Sequence, residues 1–220
     1  MKLIKSIKYI DQVSLKLITL SSLCCIGILV FRIKYTQSLY FLFLLWNLFL
    51  AFIPLGLTMY IRATPKLPKW TLIVLLTIWL LFLPNAPYII TDLMHLRRSA
   101  SALIWLDVLV IGSFAFTGLI AFYITIMDFK FIIKKQFKFK YIKYSVIVIY
   151  FLCGFGAYLG RYLRFNSWDI ISQPATLFDY IFDLLFITVD QNLYLFSFFF
   201  GMVLWLSTVI LDQIRTFSTP

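Results

Sequence analysis

Six blocks of apolar residues, each about 20 long, alternate with short polar stretches along the chain. About 20 residues of helix cross the hydrocarbon core of a bilayer, and open strands cannot cross it with unpaired backbone. The pattern therefore predicts membrane-spanning helices at about 14–31, 39–61, 70–90, 102–127, 144–163 and 192–211. Between the last two lies 164–191, which is amphipathic rather than plainly apolar. After Pro174, Asp179, Asp183 and Asp190 fall within about 40° of one another on a helical wheel. That predicts a helix lying in, or re-entering, the outer membrane interface with one acidic stripe. No internal repeat or low-complexity tract is visible. The expected architecture is all-α, a polytopic helical bundle of about six spans forming a single integral membrane domain over 1–220.

Composition agrees with the pattern. The chain is 62% hydrophobic over 220 residues, against about half in soluble domains. Net charge is +11, which in a soluble protein would point to nucleic acid. In a chain this apolar it reads as topology and attraction to anionic lipid, with no nucleic-acid partner. With both termini inside, 14 of the 20 Lys and Arg fall on the inner face. The other six are Arg32, Lys34, Arg97, Arg98, Arg161 and Arg164. Inner loops carry the excess of basic residues, so N-in and C-in is expected, and the loop "DFKFIIKKQFKFKYIKY" dominates the count. The inner face reads as Lys among aromatics, without acid partners, against anionic headgroups. Cys24, Cys25 and Cys153 lie inside apolar blocks and show neither a disulfide framework nor metal spacing. The basic start has no small-x-small cleavage site after it, so the first span is expected to be retained.

The outer face concentrates the chemistry. In "LFLPNAPYIITDLMHLRR", Pro84 and Pro87 lack amides and are expected to free the carbonyls of Leu80 and Leu83. The residues before them, Leu83 and Ala86, are biased away from helix. The third helix should therefore kink or unwind, with Asn85 placed to satisfy freed groups. A packing kink and a broken helix lining a site both remain open. Asp92 and the chain's only His, His95, share a face at i, i+3. They fit a hydrogen-bonded pair, two metal ligands, or a capping Asp beside a solvated His. Asp107 enters the fourth span by about 8 Å and needs a partner from another helix. Asn47, in the second span, is either helix–helix glue or part of the same site. In "GRYLRFNSWD", Arg161 and Arg164 are bidentate donors suited to carboxylate or phosphate, or snorkelling anchors. Asn166 and Asp169 follow as a turn or cap. Pairing of Arg161 or Arg164 with Asp92, Asp107 or the acidic stripe is expected.

Together "WNLFLAFIPL", "LFLPNAPYIITDLMHL" and "GRYLRFNSWD" resemble the bacterial membrane proteins of the domain-of-unknown-function 1361 family. The resemblance covers most of the chain, from about the second span onward. It implies a bacterial multi-pass membrane protein and implies no activity; the plasma membrane is the expected location.

Three functional readings follow. The first is an enzyme or binding protein acting on an anionic envelope lipid or lipid-linked intermediate. Asp92, His95 and Asp107 are then the candidate catalytic groups. Asn47, Asn85, Arg161, Arg164, Asn166 and Asp169 are the candidate binding groups, with phosphate on the two arginines. The second is a small ion-coupled transporter built on the broken third helix. The third is a structural or accessory membrane subunit. No motif names a cofactor, and no metal site is assigned.

Overall fold

The computed structural model describes residues 2–99, 101–137 and 141–217, with side chains for all of these except 2–14, 98, 101 and 215–217. The side chains of Lys2, Lys5, Lys8, Asp11, Arg98, Lys138, Lys140 and Arg215 lie outside the described residues. The helices are α1 (Lys2–Thr36), α2 (Phe43–Ala63), α3 (Lys69–Phe82), α4 (Asn85–Tyr88), α5 (Ile104–Phe137), α6 (Ile142–Tyr158), α7 (Asp169–Ser172), α8 (Pro174–Phe182) and α9 (Gln191–Phe217). A ten-residue 3-10 stretch, Ile89–Arg98, follows α4, and π-helical turns close α6 and α8 at Leu159–Leu163 and Asp183–Ile187. No strand occurs among the described residues. Six helical stretches are long and apolar enough to cross a membrane: Leu15–Thr36, Tyr40–Ala63, Lys69–Arg97, Ile104–Phe137, Ile142–Leu163 and Gln191–Ile214. The chain is an all-α polytopic bundle.

Alternation of the spans brings the connections around 37–39, 98–103 and 164–190 to one end, called here the site end. The other end holds the start of α1, the end of α9 and the described connections 64–68 and 141. α5 is the mast of the bundle, packed against α1, α2 and α4. Its inward face carries Val110, Ile111, Phe114, Phe122 and Ile126, each no more than 1% exposed. It also runs ten residues past the expected end at 127, because Phe129 and Ile132 continue the buried stripe. Phe129 stacks on Trp79 of α3 with ring centroids 4.6 Å apart.

Small residues set the closest approaches. A Cβ on Gly118 of α5 would lie 2.4 Å from the carbonyl oxygen of Ala86, so α4 sits directly on the mast. A Cβ on Gly154 would lie 2.6 Å from the carbonyl of Ser197. Ser197 and Gly201 form a small-xxx-small pair on α9 against α6, which lets the two backbones pack closely without a hydrophobic driving force. Cys25 and Cys153 fill the core as small buried side chains, and Cys24 is exposed.

α5 also carries a buried ion pair toward each end. Asp107 accepts from Arg32 Nε of α1 at 3.0 Å, and Asp128 accepts from Arg62 of α2. The two aspartates are 21 residues apart in the chain, about 31 Å of helix, close to the roughly 30 Å thickness of a hydrocarbon core. The expectation that the lysine end lacks acid partners is corrected here. Arg62 holds Asp128, and Lys130 Nζ lies 3.0 Å from Asp212. Both acids sit inside helices that outrun their apolar blocks, so they face neighbouring helices rather than a loop.

Candidate functional site

The site begins at the break in the third span. The α-helix ends at Phe82, yet Leu83 (φ −55°, ψ −39°) and Pro84 (φ −59°, ψ −24°) keep right-handed helical dihedrals. The residue before Pro84 thus departs from its usual extended bias. What changes is the hydrogen bonding. Ala86 N–H donates to the Leu83 carbonyl at 3.2 Å, and Tyr88 N–H to the Pro84 carbonyl at 3.0 Å. Side chains cap the end of α3: Asn85 Nδ2 donates to the Phe82 carbonyl at 2.8 Å, and Ser167 Oγ to the Leu81 carbonyl at 3.0 Å. Asn85 Nδ2 also donates to Ser167 Oγ at 2.9 Å. The side-chain caps therefore go to Leu81 and Phe82, not to the expected Leu80 and Leu83. Ser167 was legible only as part of "NSWD", where it read as a turn residue.

Beyond the break the 3-10 geometry eclipses residues three apart, which aligns Asp92 with His95. Asp92 is 1% exposed. Its Oδ1 accepts from Arg161 Nη2 at 2.5 Å, and its Oδ2 from Asn47 Nδ2 at 2.8 Å. Arg161 comes from the π-helical turn closing α6. Its Nε donates to Thr91 Oγ1 at 3.0 Å, and its Nη1 lies 3.2 Å from His95 Nε2. The guanidinium also stacks 5.0 Å from the Tyr88 ring centroid. Three separate segments, α2, the broken third span and the end of α6, meet at one buried carboxylate.

The His95 ring bridges two elements: its Nε2 faces Arg161 Nη1, a group with donors only, and its Nδ1 lies 3.0 Å from Tyr40 Oη. Asp92 Oδ1 is 3.8 Å from His95 Nε2, beyond hydrogen-bond range. The carboxylate and imidazole are thus joined through Arg161 rather than directly.

The other candidates separate. Asp107 does not join this network; its partner is Arg32, whose Nη1 also donates to the Ser38 carbonyl at 3.2 Å. Asp169 locks its own loop, accepting from Asn166 N–H at 2.6 Å and Ser172 Oγ at 3.1 Å. Arg164 is exposed, ends the π-helical turn with φ 61°, and has no side-chain partner among the described residues. Of the acidic stripe, Asp179 and Asp183 make no side-chain bond among the described residues. Asp190 accepts from Tyr158 Oη at 2.5 Å and from Asn192 N–H at 2.9 Å at the start of α9. The Tyr158 hydroxyl holds the Asp190 carboxyl below its usual range. No member of the stripe pairs with either arginine among the described residues.

Beside the Asp92 network lies a cleft of about 170 Å³. Trp46 and Asn47 of α2, Pro84, Asn85 and Tyr88 at the break, and Gly156 and Gly160 of the sixth helix and its extension line it. The segment 165–177 roofs it with Phe165, Asn166, Ser167, Ile170 and Leu177. The glycines let Pro84 and Tyr88 approach the sixth helix closely. A Cβ on Gly156 would lie 2.7 Å from Pro84 Cγ, and one on Gly160 3.1 Å from the Tyr88 ring. Leu177 is the only buried residue of α8, whose Phe178, Tyr180 and Phe182 are all more than half exposed. No three His, Cys, Asp or Glu side chains among the described residues group as metal ligands.

No curated protein and no solved structure matches the chain. The matched family model spans residues 46–207, which include every member of the Asp92 network except Tyr40, and all of the cleft. The chain belongs to the family described as protein of unknown function DUF1361.

Proposed function

We propose that the protein is a single membrane domain of the bacterial plasma membrane, with both termini inside, that binds an anionic envelope lipid or lipid-linked intermediate at its outer face. The cleft beside the Asp92 network carries this reading. It joins three polar segments of separate spans at the one end where a long connection, 164–190, leaves an arginine without a partner among the described residues. Arg161 is committed through all three guanidinium nitrogens to Thr91, His95 and Asp92. It supports the wall of the cleft through Tyr88 and leaves the phosphate to Arg164. Arg164 immediately precedes the cleft residues Phe165 and Asn166, and an exposed guanidinium pairs with phosphate in bidentate fashion. The excess of basic residues at the opposite end supports the N-in orientation and attraction of that face to anionic lipid.

The test is retention of anionic lipid by the purified protein, read by native mass spectrometry. Arg164→Gln should lower bound phosphatidylglycerol and phosphatidic acid alike while the protein keeps its wild-type thermal stability. Retention unchanged by the substitution would remove the proposal.

A further inference from the structure

The lining of the cleft narrows the head group that it takes. No lining side chain is charged, so a phosphate enclosed there would lose its water without gaining a cation. The polar atoms left over have a definite character. Asn47 Nδ2 faces the Asp92 carboxylate, which only accepts, so the free atom of that amide is its carbonyl oxygen. Asn85 Nδ2 faces the Phe82 carbonyl, which fixes its Oδ1 in the same way. Neither oxygen has a partner among the described residues, and neither is sealed from accessible space. The Tyr88 hydroxyl and the Asn166 side-chain amide are likewise unpartnered. Ser167 is used up, donating to Leu81 and accepting from Asn85. The cleft thus offers two fixed acceptors, a hydroxyl that can do either, and an amide. Beside them stands the ring of Trp46, 54% exposed.

Resting on the lipid reading above, we infer that the cleft binds a hydroxyl-bearing, uncharged head, glycerol- or single-sugar-sized, of a membrane lipid. Hydroxyls donate to the two amide oxygens and accept from Tyr88 and Asn166; an ionised phosphate or carboxylate oxygen can accept from the latter pair but has no hydrogen to give to the former. The volume of about 170 Å³ exceeds the roughly 30 Å³ share of one water several-fold, enough for such a group. An anionic version keeps its phosphate outside, toward Arg164, whose Cα lies within about 7 Å of that of Asn166 by chain geometry. An ammonium head finds no acid in the lining.

The full chain in mild detergent is titrated by native mass spectrometry with phosphatidylglycerol, phosphatidic acid, phosphatidylethanolamine and monoglucosyl diacylglycerol of matched acyl chains. Free glycerol 3-phosphate and free glucose form a competition arm. Phosphatidylglycerol is expected to bind about three- to ten-fold tighter than phosphatidic acid, the worth of one or two net hydrogen bonds. Tyr88→Phe keeps the ring beneath Arg161 and removes only the hydroxyl; Asn166→Ala removes an exposed amide. Each should erase most of that preference. Arg164→Gln should weaken both phospholipids equally and leave their ratio intact. Equal binding of phosphatidylglycerol and phosphatidic acid, or tighter binding of phosphatidylethanolamine than of either, overturns the inference. A hydroxyl preference that survives while Arg164→Gln changes nothing upholds the head-group inference and removes the anionic reading. Displacement by the free polyols at matched concentration upholds the hydroxyl chemistry and overturns its lipid source.

Discussion

Arg161 and Asp92 are 69 residues apart in the chain, yet Arg161 Nη2 and Asp92 Oδ1 lie 2.5 Å from one another in a largely buried contact. The bond ties the end of α6 to the broken third span, and the cleft lies between these two elements. It also consumes the charge that would otherwise make Asp92 costly to bury.

Breaking that pair on one side should cost about 3–5 kcal/mol, because an uncompensated charge stays buried. Asp92→Asn and Arg161→Gln should each lower the thermal unfolding temperature in detergent sharply. The double variant Asp92→Asn/Arg161→Gln should cost less than the two singles added together. Additive losses would show that the two side chains are not coupled.

Asp107 stands apart from the cleft, so its role is predicted to be one of assembly. Asp107→Asn should loosen α1 by leaving Arg32 without its carboxylate, seen as lower thermal stability. Lipid bound per folded molecule should stay at the wild-type level. A loss of bound lipid at unchanged stability would place Asp107 in the site after all.

The glycines sort by what a methyl would meet. Gly118→Ala pushes Cβ to 2.4 Å from the backbone oxygen of Ala86, which has little freedom to yield. It should cost about 1–3 kcal/mol as overpacking and shift the break. Gly27→Ala meets nothing within 4 Å and gains helix propensity of up to about 1 kcal/mol. Paired unfolding measurements of the two variants check the ordering.

The bond from Tyr158 to Asp190 holds the Asp190 carboxyl below its usual range. A depressed carboxyl stabilises the fold above its unfolded value of about 3.9, and that contribution is lost as pH falls through the lower folded value. The stability difference between the wild type and Tyr158→Phe should therefore be present at neutral pH and shrink under strong acid. A difference that is constant with pH would mean that the phenol contributes by packing alone.

Orientation has its own readout. Gln173 is exposed on the 164–190 connection. A Gln173→Cys variant is expected to react in intact cells with a membrane-impermeant thiol reagent, which the N-in arrangement requires.

The six spans were legible because hydropathy over about 20 residues is a local property, and a helix satisfies its own backbone wherever it lies in the bilayer. Span ends were less legible. α5 continues to Phe137 because Phe129 and Ile132 pack on neighbours that hydropathy does not register. The pairing of Arg161 with Asp92 was among the expected options, since buried charge demands an opposite partner. Arg32, by contrast, entered the sequence reading only as part of a charge count, although it holds Asp107. Tyr40, Thr91 and Ser167 carried no signal of their roles: a hydroxyl in an apolar or turn segment looks the same whether or not it caps a distant group.

The sequence by itself thus determined the class of the molecule, the number of its spans and the end of the bundle at which its polar chemistry gathers. Those follow from composition and from spacing within single segments. Only the tertiary structure decided which acid meets which base, that Arg161 stands between Asp92 and His95, and that an uncharged cleft opens beside them. Such contacts depend on how helices far apart in the chain are rotated and set against one another. That arrangement arises from close approaches such as Gly118 on Ala86 and Gly156 on Pro84, which no single segment encodes.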